Sequence, residues 1–128
     1  KETALLARVH DKLSRSLKKG LPPILRIRRV AWRAPKGSTT KNWLTVKSHF
    51  VVLTGLPTKN PKESTSFKVT YHEPWGGKNL SGTIHVPDAK SAGITTLIAS
   101  FPGSDIGKKL VRHSEPTCLS LSSAIGLF

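Results

Sequence analysis

The chain has 128 residues, of which 37% are hydrophobic, and it contains one cysteine, no methionine and a formal net charge of +14. Its length predicts one domain with a modest core, its single cysteine excludes an internal disulfide framework, and no stretch approaches the roughly 20 apolar residues of a membrane-spanning helix. The charge is uneven: residues 1–50 hold thirteen Lys and Arg against two acids, a net +11, and residues 51–128 hold eight against five, a net +3.

Residues 3–19 are predicted to form an amphipathic helix that ends at a Gly20 C-cap. Apolar side chains recur at three- and four-residue steps: Leu5, Leu6, Val9, Leu13 and Leu17. A basic stripe on another side consists of Arg8, Lys12, Arg15 and Lys19. We expect the apolar stripe to cover the protein's own sheet; an anionic membrane or a partner subunit is the alternative contact.

Residues 24–33 are predicted to form a strand whose apolar phase slips, with a bulge near Arg28 and Arg29. Residues 43–54 form the clearest strand of the sequence. Its apolar face is predicted to carry Leu44, Val46, Phe50 and Val52, and the opposite face Lys47 and His49.

Residues 66–72 and 80–86 are predicted to pair as a hairpin around a turn rich in Pro and Gly. Phe67, Val69 and Tyr71 would then pack with Leu80, Ile84 and Val86. The other face would carry Thr70, His72, Thr83 and His85.

The helical spacing of apolar residues favours a second helix over residues 89–101, although Gly93 and the β-branched residues after it are typical of a strand. One short basic turn is expected over residues 104–112. Residues 116–128 carry no charge and alternate apolar side chains. They predict a final buried strand, or otherwise an exposed segment that pairs with a neighbouring chain.

Together these elements predict an α+β fold in a single domain, residues 1–128. It comprises the N-terminal helix (3–19), a β-rich core (24–86) and a C-terminal part (87–128) with a helix or strand and the uncharged segment. We expect a twisted, mainly antiparallel sheet of about five or six strands, with the second helix near residues 89–101 as an optional addition.

The strongest functional signal is the basic N-terminal half, because ordinary charged surfaces balance Lys and Arg with Asp and Glu. It predicts a phosphate-binding surface with two tryptophans as base-stacking platforms, or as core residues instead. The residues of this surface are Arg8, Lys12, Arg15, Lys18, Lys19, Arg26, Arg28, Arg29, Arg33, Lys36, Lys41, Lys47, Trp32 and Trp43. RNA is favoured over duplex DNA as the ligand, because a curved β surface suits splayed bases.

Other functions fit the same charge. The chain could be a self-assembling viral matrix or coat-like protein that binds genome or anionic membrane, with homo-oligomer contacts through the N-terminal helix or residues 116–128. It could also be a secreted, host-directed basic protein. Because it begins at Lys1 and lacks methionine, we expect its natural start to lie upstream, and the sequence assigns no compartment.

An enzyme is the least favoured class. A small ribonuclease would need His49, His72 and His85 to converge on one polar face beside Lys47 or Lys68. Residues 103–109 resemble a phosphate loop but have three residues between the glycines, one fewer than that loop requires. We therefore assign no catalytic residue, no metal ligand and no cofactor, and expect Cys118 to act as a small apolar residue.

Overall fold

The computed structural model describes residues 2–58, 64–73, 78–88, 91, 93–94, 96–101 and 117–126. These residues form one N-terminal helix and six antiparallel strands that close into a barrel. The predicted α+β fold, with an antiparallel sheet of five or six strands and an N-terminal helix, is therefore confirmed.

The barrel is a meander in which each strand pairs with the next one along the chain. Its elements are α1 (Glu2–Lys18), β1 (Ile24–Arg33), β2 (Asn42–Gly55), β3 (Ser66–Glu73), β4 (Lys78–His85), β5 (Ile98–Ser100) and β6 (Thr117–Ile125). Because β6 pairs with β1 as well as with β5, the sheet closes on itself.

The helix α1 covers one end of the barrel with its apolar stripe. Leu6 and Leu13 are buried in the same core as the inward side chains of the strands. His10 meets the ring of Phe67 edge-on, and its Nε2 donates a hydrogen bond of 2.8 Å to the carbonyl oxygen of Pro57. Since Phe67 lies near the start of β3 and Pro57 follows β2, α1 covers the end where β1 begins. The expectation that this stripe packs on the protein's own sheet is confirmed.

The C-terminus of α1 is capped by Gly20, as the sequence predicts. Gly20 has a φ of +85°, a left-handed conformation that glycine adopts without a Cβ clash. Its amide donates to the carbonyl of Leu17, and the amide of Leu21 donates to the carbonyl of Ser16, each at 3.0 Å. These two bonds satisfy carbonyls that the end of a helix leaves free and turn the chain toward β1.

The pairing of β1 with β2 contains a bulge at the predicted position along β1, but the extra residue lies in β2 and not in β1. The register changes from Arg29 opposite Lys47 to Val30 opposite Thr45, which leaves Val46 as an extra residue in β2. An extra residue reverses the inward and outward alternation of the strand on one side of it. The bulge therefore changes the alternation of β2, whereas β1 continues without an extra residue.

The prediction for the buried face of β2 is wrong in its second half. Val51 and Leu53 are fully buried, whereas Phe50 is 48% exposed. Residues 50–53 are all apolar, so alternation alone cannot select the inward face. The pairing of Val51 with the buried Leu25 decides it, because paired residues in an antiparallel sheet point to the same side.

The predicted hairpin of β3 and β4 is confirmed. Phe67 lies opposite Ile84, and Tyr71 lies opposite Leu80. Inside the barrel, Tyr71 stacks on Phe101 with ring centroids 4.4 Å apart and planes at 25°. The tip of the expected turn, residues 74–77, lies outside the described residues.

The second helix predicted near residues 89–101 is wrong in the part of that range that the structure describes. Ile98 and Ala99 pair with β4 on one side and with β6 on the other. Gly93 has a φ of +94°, which a helix interior does not contain. The backbone groups of these residues therefore form hydrogen bonds with two neighbouring strands, where a helix would have formed i→i−4 hydrogen bonds within the segment. Residues 102–116, including the predicted basic turn and the phosphate-loop-like sequence, lie outside the described residues.

The uncharged C-terminal segment supplies β6, the predicted final strand. Leu119 and Leu121 are buried, and β6 pairs along most of β1. β5 completes its other side at Leu119 and Ser120. The described part of the segment is therefore built into the barrel.

Candidate nucleic-acid interface

The outward side chains of β1 and its two neighbours form three rows on the barrel, which we call the β1 face. Paired residues share a side of the sheet, so the rows follow from the register. Taken in the order β2, β1, β6, the first two rows are Val52, Ile24 and Ile125, and Phe50, Arg26 and Ser123. The third row is Ser48 and Arg28, because Ser120, which pairs with Arg28, is buried and its Oγ forms a 2.6 Å hydrogen bond with Thr96 Oγ1.

Phe50 and Arg26 form the centre of the β1 face. They are directly paired, both are exposed, and Arg28 lies one row away on the same side of β1. A large aromatic side chain is usually buried, so a half-exposed phenyl ring beside a guanidinium group is an unusual surface. This pairing can stack a base on the ring and place the adjoining phosphate near a cation. Sequence reasoning missed Phe50 because it assigned the residue to the core.

An apolar row borders this centre. Ile24 lies between Val52 and Ile125, and the exposed fractions of Ile24 and Ile125 are 38% and 62%. The β1 face therefore combines two arginines with a contiguous apolar edge.

The two predicted stacking tryptophans lie at the far end of β1 and contact each other. Trp32 and Trp43 are paired in register, with ring centroids 5.4 Å apart in an edge-to-face arrangement at 61°. Both are half-buried, and Trp43 lines a small recess of about 220 Å³ together with Arg28. Because the two indole rings pack against each other, they would offer less free ring surface for base stacking than Phe50.

The remaining predicted cations of the strand region surround the same end of the barrel. Lys36, Lys41 and Lys47 are exposed, and Arg33 is half-buried. Lys36 lies in a turn in which the amide of Ser38 donates to the carbonyl of Pro35 at 3.0 Å. These residues form a basic rim around the end that α1 does not cover.

The basic stripe of α1 lies at the opposite end of the barrel. Arg8, Lys12, Arg15, Lys18 and Lys19 are all exposed. Arg15 makes an ion pair of 2.8 Å with Asp11, which neutralises part of the stripe. The predicted basic set is therefore divided into two end clusters, joined along the barrel wall by Arg26 and Arg28.

Arg29 belongs to the barrel interior and not to the outer surface. It is 5% exposed, and its Nη1 donates a 2.8 Å hydrogen bond to Thr117 Oγ1. Removal from water lowers the pKa of Arg29 below its ordinary value, an effect that the nearby Cys118 opposes. Arg29 is therefore not available to a ligand on the outer surface.

A hydrogen-bonded histidine and glutamate lie inside the barrel beneath the β1 face. His49 Nε2 donates to Glu73 Oε1, and the exposed fractions of the two side chains are 12% and 7%. The other carboxylate oxygen, Glu73 Oε2, is buried and has no hydrogen-bond partner in the described part of the protein. No local sequence pattern predicts this contact, because the two residues lie on different strands.

The three histidines considered for a ribonuclease do not converge. His49 faces the interior, whereas His72 and His85 lie on the outer face of the β3–β4 hairpin, as predicted for that pair. His72 and His85 lie opposite Asn79 and Ser66, six residues apart along the hairpin, which corresponds to about 20 Å. One phosphate cannot contact all three. Among the described residues, no cluster of three His, Cys, Asp or Glu side chains could hold a metal ion.

Cys118 is half-buried in β6 opposite Val30. Burial raises its pKa to about 11, because the thiolate would lose hydration; the charge of Arg29 lowers it and that of Asp88 raises it. At neutral pH the thiol is therefore protonated and a poor nucleophile.

The fold and site together define a small closed antiparallel β-barrel with one covering helix and a cationic, partly aromatic wall. Comparison with protein-family models, curated proteins and solved structures finds no significant match. Within the described residues, no helix combines the length and apolar character needed to cross a membrane.

Proposed function

We propose that this chain is a non-enzymatic nucleic-acid-binding protein whose ligand is single-stranded RNA, bound across the β1 face. The observation that carries the proposal is the half-exposed Phe50 directly opposite Arg26. A base stacked on Phe50 would place its neighbouring phosphates near Arg26 and Arg28.

The position of the β1 face supports a bound strand that runs along the barrel. It lies between the basic stripe of α1 at one end and the rim of Lys36, Lys41 and Lys47 at the other. The ten residues of β1 span about 33 Å, so a single strand could contact both clusters and cross Arg26 and Arg28 between them.

The exposed ring favours a single strand over a duplex. Stacking on Phe50 requires a base that has left its own stack, and single-stranded RNA supplies such bases at little cost. The described chain has one helix, and its apolar side is buried against the barrel, so it offers no free recognition helix for a major groove.

The test is fluorescence anisotropy of a labelled single-stranded RNA of about 30 nucleotides at low, physiological and high salt. We expect the logarithm of the affinity to fall linearly with the logarithm of salt concentration. Phe50→Ala should cost about 1–3 kcal/mol of binding free energy, the usual value of one base stack. Leu21→Ala, which also removes an exposed apolar side chain but lies outside the β1 face, should have no effect.

Two results would contradict the proposal. One is the absence of binding at physiological salt, and the other is equal RNA affinity for Phe50→Ala and Leu21→Ala. Degradation of the RNA during long incubation would instead favour a ribonuclease.

A second candidate function, self-assembly, is favoured by the apolar row of Ile24, Val52 and Ile125. Exposed apolar side chains in contiguous positions are typical of protein contacts. Sedimentation of the protein without RNA separates the two functions. An RNA-binding protein should remain monomeric with or without Ile125→Ser, whereas an assembly protein should form larger species that this substitution disrupts.

A further inference from the structure

A groove of about 670 Å³ opens on the outer surface of β3, β4 and β5, on the side of the barrel away from the β1 face. We call it the hydroxyl groove after the side chains that line it. Its polar residues are Lys68, Thr70, Ser81, Thr83 and Ser100. A volume of this size is typical of sites for small molecules, which range over roughly 300–1,000 Å³.

The strand register arranges these polar groups in rows. Lys68 lies opposite Thr83, which in turn lies opposite Ser100, so an ammonium and two hydroxyl groups follow one another across three strands. Neighbouring strands are about 4.8 Å apart, so one tetrahedral anion can contact the hydroxyl groups of two strands while the long side chain of Lys68 extends to it from the third. None of the described residues that line the groove is acidic.

The second row adds hydroxyl groups that can also donate. Thr70 lies opposite Ser81, and Thr70 Oγ1 accepts a hydrogen bond of 3.1 Å from Thr54 Oγ1. Because Thr70 accepts from Thr54, its own O–H remains able to donate into the groove. The position of Thr70 depends on Gly55, since a Cβ there would overlap Thr70 Oγ1.

An apolar wall completes the groove. Leu56 and Pro57 line it, and both are half-buried. Pro57 is fixed further by the hydrogen bond that its carbonyl accepts from His10 of α1. The groove therefore has a cationic, hydroxyl-rich row for an anionic group and a rigid apolar surface for a ring.

We propose that the hydroxyl groove binds a small phosphate ester of a sugar or nucleoside. The phosphate lies on the row of Lys68, Thr83 and Ser100, where an ammonium and two hydroxyl groups can donate to it. The sugar hydroxyls contact Thr70 and Ser81, and the ring packs against Leu56 and Pro57. This site uses none of the residues of the β1 face, so the proposal for the groove does not depend on the proposal that the β1 face binds RNA.

The test is isothermal titration calorimetry of the full chain at physiological salt with four probes: AMP, ribose 5-phosphate, adenosine and inorganic phosphate. We expect AMP to bind at one site with a dissociation constant of about 1 mM or lower. Adenosine should bind at least about tenfold more weakly, because it lacks the charged group that Lys68 pairs with. A ribose 5-phosphate affinity equal to that of AMP assigns the ligand to sugar phosphates, and a lower one assigns it to nucleotides.

Matched variants separate this site from the general attraction of a chain with net charge +14. Lys68→Gln and Thr83→Val should each weaken AMP binding by about tenfold or more, whereas Lys78→Gln, an exposed lysine of β4 outside the lining, should change it by less than about twofold. Thermal unfolding of each variant checks that it is folded. Equal losses for Lys68→Gln and Lys78→Gln, or no saturable AMP binding by the folded wild-type chain, would overturn the proposal.

Discussion

The β1 face and the hydroxyl groove lie on opposite sides of one barrel and differ in shape and side-chain chemistry. The β1 face exposes a phenyl ring, two arginines and an apolar row on a strand surface. The groove presents one lysine among hydroxyl groups in a concavity. A net charge of +14 predicts anions as the class of ligand, whereas the kind of anion that we propose for each face follows from its own shape and donors.

The β1 face and the hydroxyl groove lie over the same barrel interior, and the largest effect that we expect is a loss of stability on substitution of a residue in that interior. His49→Leu removes the partner of the buried Glu73 and should lower the free energy of unfolding by about 3–5 kcal/mol, because a carboxylate is left unpaired in the core. Urea unfolding followed by circular dichroism measures this loss.

The double variant His49→Leu with Glu73→Leu is the control, because replacing both partners by apolar groups costs less than breaking the pair. The folded fraction of each variant should retain RNA and AMP affinity. A loss below about 1 kcal/mol for the single variant would show that the pair is not required for the stability of the interior.

The next largest effect concerns RNA binding by the β1 face and should leave AMP binding by the hydroxyl groove unchanged. The double variant Arg26→Gln with Arg28→Gln should weaken RNA binding by roughly a hundredfold, since two charge-assisted contacts are worth about 3 kcal/mol. The slope of the logarithm of affinity against the logarithm of salt concentration should also fall by about two, because two fewer phosphates are neutralised. AMP affinity should not change. Anisotropy and calorimetry on the same preparations measure both affinities. A parallel loss of both would mean that the faces are not independent.

A smaller effect is expected on the groove side alone. In Gly82→Ala, the new Cβ would overlap the ring of Phe101 and would lie 2.6 Å from the carbonyl oxygen of Ser100. We expect a stability loss of about 1–3 kcal/mol from overpacking, together with weaker AMP binding and unchanged RNA binding. Ser123→Ala, at an exposed position of the β1 face, should change stability by less than about 0.5 kcal/mol. Thermal unfolding compares the two, and a Gly82→Ala variant as stable as the wild type would show that both the Phe101 ring and the Ser100 carbonyl can shift to make room for the Cβ.

The smallest effect concerns Cys118, on β6. Its folded pKa of about 11 lies above the value of roughly 8.5 for a free thiol, so the folded state holds the proton more tightly. The resulting stability is complete below about pH 8.5 and is lost as the pH rises toward 11. Relative to Cys118→Ala, the wild-type chain should lose about 1 kcal/mol between pH 8 and 10.5, a value reduced by the partial exposure of the thiol. Parallel pH profiles would contradict the burial of this thiol.

Local pattern was enough to predict the elements whose two sides differ clearly. The apolar spacing of α1 and its glycine cap each depend on residues that are close together in the sequence, and both are found in the structure. The hairpin was also predictable, since Phe67, Val69 and Tyr71 alternate with polar residues. In each case one side of the element is apolar and the other is polar, so burial has one solution.

The errors occur where neighbouring residues are alike. Phe50 and Val51 are both apolar, and only the pairing of Val51 with Leu25 and the bulge at Val46 decide which side chain is exposed. Residues 97–101 have helical spacing, but β4 and β6 each need a partner strand, and β5 fills that position. Local periodicity is short-range, whereas strand register is set by partners far away in sequence.

The sequence alone was enough to predict an α+β chain with a capped amphipathic helix and a β3–β4 hairpin, and its basic half predicts a polyanionic ligand. Closure of the barrel decided the rest. It moved Arg29 and His49 inside, placed Phe50 beside Arg26 on the surface, and brought Lys68, Thr83 and Ser100 into one row. Each of these contacts depends on which residues of two paired strands lie opposite each other. That register is set by the folded sheet as a whole, and local sequence patterns do not determine it.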